Sequence, residues 1–400
     1  MLHFIIQNIT QGNNMKWTKL SLVAALAVSS AFAGGDIAPV EPVVEAPVVE
    51  AACNSNTTVD SKAVLYYYTD DNFGANSVFD KETSSLGAAV TVDLSHKIMD
   101  GITANVTGIG YTNLMNESIN FGGFEYWTAN PKDTGAYLNV ANITATYGNT
   151  TFVLGRQLLF TPQVSGFDWL LAPGAYEAYT VMNKSIPNVT LTASYITEFR
   201  GVNSGVDFVE LEGDNWTVGA AYSNAFDASV WYYNIDDAYG ASYTQVYADA
   251  GTKIAGIDVA AQYINTDWEV GDTSNLYGIK VSGSLGGFDL MGAYVYTEDA
   301  PAGFIDNDAV YTTMWNSLGS NGIGDAFKVE AATEFSGLSV AADYSYYEET
   351  VLGDEGNEFD LILGYGLTNC IDLSAIYSTT DYGDGSGNNQ AVELIATYKF

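Results

Sequence analysis

The sequence predicts an all-β chain, a transmembrane antiparallel β-barrel of about 18 strands, and three observations lead there. From Ser61 to Phe400 one unit recurs: about ten residues alternating small-apolar with polar side chains, a tight turn, a second such segment, then a longer polar loop. The composition, with 28 Tyr, 40 Gly and only 8 Pro at a mean hydropathy of +0.04, is unusual for a string of soluble domains. Beyond the amino terminus no apolar stretch reaches the roughly 18 residues that a spanning helix requires. A bilayer leaves no backbone polar group unpaired, so a chain that crosses it without apolar helices closes its strands into a barrel.

The amino-terminal region precedes that repeat. Met15-Lys16-Trp17-Thr18-Lys19 is a basic start, Leu20 to Val28 an apolar centre and Ala31-Phe32-Ala33 a small-residue cleavage site, so residues 15–33 read as a secretory signal peptide. Residues 1–14 have no part in that scheme and read as a start codon called too early. Residues 34–60 carry the Pro/Val/Glu tract Ala38 to Glu50, which cannot build a core and favours extended geometry. They read as a periplasmic spacer, with contact to peptidoglycan or an envelope partner as the alternative, and 61–400 reads as the barrel.

Strands are expected near 62–70, 84–94, 101–112, 136–147, 150–160, 174–185, 188–199, 214–224, 227–236, 241–254, 256–268, 275–286, 287–298, 325–336, 337–348, 357–367, 370–380 and 390–400. The count is even, as a barrel with both ends on the periplasmic side demands. Tight links at Gly148-Asn149, Pro187-Asn188, Phe226-Asp227, Gly286-Gly287 and Ser336-Gly337 alternate with long ones, Leu114 to Gly135, Thr161 to Pro173 and Pro301 to Gly324. The short set is periplasmic and the long set extracellular.

Successive side chains on a strand point to opposite faces. In the last strand Val392, Leu394, Ala396, Tyr398 and Phe400 share the lipid parity, while Glu393, Thr397 and Lys399 share the other. The same sorting places Asp360 and Asp343 inward, so Asp343, Asp360 and Glu393 are candidate lumen-facing acids. Tyr66 to Tyr68, Tyr195, Tyr232, Tyr263, Tyr296, Tyr344, Tyr346 and Tyr377 form a candidate aromatic girdle at the headgroup level.

Arg156 shares parity with Phe152, Leu154 and Leu158, so strict alternation aims it at lipid, which costs about 2–4 kcal/mol at the bilayer midplane. A bulge, or a place near the upper interface, relieves the conflict. Its neighbourhood leads into the third extracellular connection, which is the candidate for an inward-folded loop, with Arg156, Asp168 and Glu177 as pore-constriction candidates. There Arg156 facing acids creates a transverse field; a rim salt bridge reads equally well.

Removing residues 1–33 leaves 11 basic against 48 acidic side chains, a formal charge of −37. That field repels nucleic acid and anions and gathers cations within about a Debye length, ~8 Å. Arg156 and Arg200 are the only arginines, too few for a basic ladder along a pore wall, so a channel here is expected to prefer cations. Beyond the leader the one histidine, His96, sits in an expected periplasmic turn with no Ser/His/Asp pattern around it, so no enzyme and no cofactor is expected. Asp306-Asn307-Asp308 and Asp354-Glu355 offer oxygen ligands to Ca²⁺ but form no complete calcium loop, and solvated acids explain them as well.

Cys53 and Cys370 enter an oxidising compartment and both fall at the expected periplasmic rim, near where the barrel closes; they are a disulfide candidate, with free thiols as the alternative. The ending Ala396-Thr397-Tyr398-Lys399-Phe400 resembles the carboxy-terminal signal read by the outer-membrane assembly machinery, carried by Tyr398 and Phe400.

Leu154-Gly155-Arg156-Gln157 with Thr161-Pro162, then Ala178-Tyr179-Thr180 and Asn183-Lys184-Ser185-Ile186-Pro187-Asn188, resembles the major outer membrane porins of campylobacteria and, more distantly, OprD-type channels. The likeness is clearest over 140–200, with the architecture agreeing across 61–400. It implies an 18-stranded barrel in the outer membrane among lipid and lipopolysaccharide, passive uptake of small hydrophilic solutes and cations, an inward third loop, homotrimers and a calcium ion in the lumen. The missing arginine ladder departs from the OprD type and from its carboxylate substrates. The competing expectation is a non-conducting surface barrel, acting as an adhesin or envelope anchor.

Overall fold

The computed structural model of the chain describes residues 56–115, 134–166, 171–202, 207–238, 241–303, 309–316, 322–349, 354–383, 385 and 387–400. The leader, the Pro/Val/Glu tract, Cys53 and Asp168 lie outside the described residues. Eighteen strands follow in chain order: β1 Thr57–Asp70, β2 Ser84–Met99, β3 Ile102–Asn113, β4 Thr134–Tyr147, β5 Thr150–Gln157, β6 Ala175–Asn183, β7 Val189–Arg200, β8 Val209–Ser223, β9 Asp227–Ala238, β10 Ala241–Ile254, β11 Ile257–Trp268, β12 Ser274–Leu285, β13 Phe288–Glu298, β14 Gly324–Phe335, β15 Leu338–Glu349, β16 Asp354–Gly366, β17 Ile371–Asp381 and β18 Asn388–Lys399. Among the described residues no helix is long and apolar enough to cross a membrane.

Every strand pairs antiparallel with its sequence neighbours, and β1 pairs with both β2 and β18, so the sheet closes on itself. At the seam the Phe400 N–H donates to the Ser61 carbonyl at 3.0 Å. Closure removes the edge that would otherwise expose unpaired backbone to hydrocarbon.

Each expected strand is present, with ends that move. β1 starts at Thr57, earlier than expected, because Thr57 to Ser61 find partners from Val92 to His96 on a lengthened β2. His96 therefore sits in a strand rather than a turn, its Nδ1 2.8 Å from the Thr57 hydroxyl. The turns after β10 and β14 carry two consecutive positive φ angles, 50° and 88° at Ala255-Gly256, 52° and 85° at Ser336-Gly337. That is the primed-turn geometry whose twist matches the flanking strands.

The outer wall is apolar: Leu65, Leu154, Tyr179, Val218, Tyr277, Tyr294, Val329 and Leu394 are all exposed there. The girdle needs one correction. Tyr67 faces outward, but Tyr66 and Tyr68 lie on the inner parity and are buried, donating to Glu393 at 2.9 Å and to Asp70 at 3.0 Å. A period of two cannot put three consecutive side chains on one face.

The candidate functional site: the barrel interior

Alternation along β16 sorts Glu358, Asp360 and Ile362 to the inside and Phe359, Leu361 and Leu363 to the outside. Asp343 stands directly across from Asp360 on β15, and Glu393 follows on β18. The three acids singled out in the sequence are thus on the inner wall. They do not meet open water: Asp343 is 5%, Asp360 1% and Glu393 2% exposed.

Their cover is a stretch of the β13–β14 connection. The Gln262 side chain donates to the Ala309 carbonyl at 2.6 Å and accepts from the Tyr311 N–H at 3.3 Å. Lys328 Nζ donates to the Thr313 carbonyl at 3.2 Å and is braced by Asp343 at 3.1 Å and Glu330 at 3.8 Å. The Trp315 N–H donates to Asp360 at 3.2 Å, and its indole N–H donates to Glu393 at 2.7 Å. The Asn316 N–H donates to Glu358 at 2.7 Å and its amide to the Ser378 hydroxyl at 2.6 Å. Residues 309–316 therefore lie along the inner wall from β11 to β18. Sequence reasoning placed Pro301 to Gly324 among the extracellular links without seeing this. The available signal was the run Ala309-Val310-Tyr311 followed by Met314-Trp315, apolar side chains that a solvated loop has no reason to carry.

The β5–β6 connection meets other stretches of the same wall. Leu159 and Val164 join a buried cluster with the inward-facing Trp231 and Tyr233, and the Gln163 N–H donates to the Tyr233 hydroxyl at 3.3 Å. Leu171 and Ala172 pack with Val64, Tyr66, Ala89 and Ile109 on β1 to β3. Arg200 is 1% exposed beside this connection, donating to Asn139 at 2.9 Å with its guanidinium over the Tyr137 ring. The Asn139 amide in turn donates to the Pro173 carbonyl at 3.2 Å.

The constriction candidates do not come together inside. Arg156 pairs with Glu177 on β6 at 3.3 Å and with Glu198 on β7 at 3.6 Å, and its guanidinium lies over the Phe208 ring at 4.1 Å. Glu177 shares the parity of the exposed Tyr179, and Arg156 that of the exposed Leu154, so this cluster is on the outer wall. It lies one side-chain step beyond the paired Tyr179 and Tyr195. Strict alternation holds at Arg156, and its ion pairs with Glu177 and Glu198 meet its charge on that face. Arg156 and Glu177 thus form an ion pair on the outer wall and do not line the pore.

Inward carboxylates that were not singled out include Asp93, Asp227, Asp249, Asp289 and Glu330, on the parity of Thr91, Trp231, Tyr247, Met291 and Lys328. Asp249 accepts from the Ser229 hydroxyl at 2.5 Å, and Asp227 from Ser223 at 2.6 Å. Beside Asp93, β2 to β4 also present amides and hydroxyls: Asn105 donates to Asn142 at 2.9 Å and to Thr144 at 3.1 Å, and accepts from Ser95 at 2.9 Å.

Cys370 is exposed in the link between β16 and β17, and its carbonyl accepts from the Lys399 N–H at 2.9 Å, which sets it at the rim beside the closing seam. Its candidate partner, Cys53, lies outside the described residues. Tyr398 and Phe400 stack with ring centroids 5.3 Å apart, and both are exposed on the outer wall. Of the acidic loops considered for Ca²⁺, Asp306-Asn307-Asp308 lies outside the described residues. Among the described residues no group of three His, Cys, Asp or Glu side chains is arranged to hold a metal ion.

The fold and its interior define an 18-stranded antiparallel barrel with an apolar outer wall and a polar lumen. Solved structures share it: OccAB2 of Acinetobacter baumannii at a TM-score of 0.70 and 15% identity, and OccK9 (OpdG) of Pseudomonas aeruginosa at 0.74 and 15%, each over 86% of this chain and 98% of the other. A BenF-like porin from Pseudomonas fluorescens Pf-5 matches at 0.73 and 13% identity over the same shares. These neighbours are porins of the OprD/Occ type, and at such identities the likeness establishes the fold. No family model and no curated protein matches the sequence.

Proposed function

We propose that this protein is an outer-membrane porin: a water-filled, cation-preferring channel through which small hydrophilic solutes and ions diffuse passively. The observation that carries the reading is the closed barrel of 18 strands whose side chains sort by polarity onto opposite walls. Such a wall is stable with lipid on one side and water on the other. One solved neighbour, the BenF-like porin, is a porin by name and supports the same class.

Cation preference follows from the formal −37 of the processed chain and from inward carboxylates such as Asp93, Asp227 and Asp249. The kinship with campylobacterial porins, a homotrimeric state, insertion through the assembly machinery by way of Tyr398 and Phe400, and a Cys53–Cys370 bridge belong to the same proposal. So does a narrowing of the channel by the third connection, whose buried residues pack on inward side chains.

Purified protein in planar bilayers should give discrete conductance steps, and a KCl gradient should give a reversal potential of cation-selective sign. An electrically silent barrel that binds cells or peptidoglycan would replace this reading with that of a surface anchor.

A further inference from the structure

Three carboxyl oxygens on the inner wall have no hydrogen-bond donor. Under the strap formed by residues 309–316, Glu358 is 0%, Asp360 1% and Asp343 5% exposed. Each has one oxygen occupied: Glu358 Oε1 by the Asn316 N–H at 2.7 Å, Asp360 Oδ2 by the Trp315 N–H at 3.2 Å, and Asp343 Oδ2 by Lys328 Nζ at 3.1 Å. The second oxygens, Glu358 Oε2, Asp360 Oδ1 and Asp343 Oδ1, are buried and accept nothing. A buried charged oxygen without a partner costs more than a neutral one, and a buried charge neutralises itself where it can.

Asp360 stands between the other two. It is the direct cross-strand partner of Asp343, and Glu358 precedes it by two residues on the same face of β16, with the two carboxyl groups in contact. Like charges at such positions repel. The surroundings do little to offset them. Lys328 on β14 is the base that meets these acids, and it is divided between Asp343 and, at 3.8 Å, Glu330. Lys280 on β12 neighbours Glu330 and Asp249 instead. Opposite Asp360 and Glu358 on β17 stand the uncharged Ser378 and Thr380, and Tyr382 lies beyond that strand's end. Glu393 on β18 adds a further acid, with both of its oxygens occupied by the Trp315 indole and the Tyr66 hydroxyl.

We propose that Glu358 and Asp360 share one proton at neutral pH, so that a hydrogen-bonded acid pair stands where the sequence shows two separate carboxylates. A carboxyl proton turns an acceptor into a donor. One proton between Glu358 Oε2 and Asp360 Oδ1 therefore removes a charge and gives both oxygens a partner. The resulting O–H to O⁻ bond is charge-assisted and short, and its proton belongs to the pair rather than to either residue. Asp343 keeps its charge against Lys328. On the porin reading, this stretch of the lumen carries one negative charge fewer than its carboxyl groups suggest, and gains that charge when alkaline solution removes the proton.

Single amide variants separate a shared proton from two charges. Asp360→Asn and Glu358→Gln each replace one member of the pair by a neutral group that can still donate to the other. Infrared difference spectra of the full chain in lipid, wild type against each variant at neutral pH, should show the loss of about one protonated-carboxyl group per chain and no loss of carboxylate. Loss of a carboxylate signal, with the protonated-carboxyl signal unchanged, would overturn the proposal. Heat-modifiable gel migration confirms that each variant is a folded barrel. If neither folds, wild type decides: a protonated-carboxyl band should be present at neutral pH and convert to carboxylate as pH rises, and its absence at neutral pH sinks the idea.

Bilayer recordings supply a second readout. In a KCl gradient at neutral pH the two variants should keep the wild-type reversal potential, since the pair carries one negative charge in each case. A clear loss of cation preference in both would mean that two charges had been present, against the proposal. An electrically silent wild type would remove the channel reading alone, and the infrared result would still decide whether the proton is there.

Discussion

At the scale of the residue, the inner wall depends on close approaches that only certain side chains permit. The Trp231 ring lies across Gly219 of the paired strand, and a Cβ there would sit 2.2 Å from ring carbons. Gly219→Ala should therefore destabilise the barrel by about 1–3 kcal/mol, the range for overpacking a filled site, read as a lower urea midpoint in detergent or lipid. Combining it with Trp231→Leu should recover part of the loss; a lone Gly219→Ala of wild-type stability would refute the packing argument. Arg156 gives a second residue-scale test. Its pairs with Glu177 and Glu198 are about two-thirds buried and on the outer wall, where such contacts are worth ~0–1 kcal/mol. Arg156→Ala should leave conductance and reversal potential unchanged, whereas a constriction residue would alter both.

At the scale of the element, hairpins and straps differ in what specifies them. The β14–β15 turn places Ser336 at φ 52° and the β10–β11 turn places Ala255 at φ 50°, a region in which L residues pay a conformational penalty. Asn tolerates it better, so Ser336→Asn and Ala255→Asn should each stabilise the barrel by about 0.5–1 kcal/mol, while Ser336→Val should cost about 1 kcal/mol or more. Unfolding midpoints of the three variants check the order. Ser336-Gly337 was legible because turn chemistry is local: four residues decide it. The strap at 309–316 was not, since its anchors Gln262, Lys328, Glu358 and Glu393 are scattered over more than a hundred residues of sequence. A run of apolar residues in a loop says that something buries them, not which wall does.

At the scale of the molecule, the acidic excess governs what approaches the channel. Surface carboxylates act over a Debye length, about 10 Å at 0.1 M salt and 3 Å at 1 M, so part of the proposed cation preference should fade as salt rises. Reversal potentials at a fixed gradient ratio, taken at total KCl of ~0.1 M and ~1 M, measure that part. A preference that does not change with salt would place all of it at unscreened groups inside the lumen.

The sequence by itself determined the number of strands, their alternation and the side of the wall on which each residue stands, because the period of a strand is two and lipid tolerates no exception in the belt. It assigned Asp343, Asp360 and Glu393 to the inside, and the structure has each there; at Arg156 it left a lipid-facing parity in conflict with a place in the pore. It placed Tyr66 and Tyr68 on the wrong face only where the period was set aside in favour of a cluster of like residues. What the tertiary structure alone decided was the content of the lumen: that residues 309–316 cover the very acids the alternation exposes, and that Arg156 sits beyond the girdle rather than in the pore. Strand periodicity is a property of neighbouring residues, whereas the path of a long connection is settled by contacts between segments that meet only after the barrel has closed.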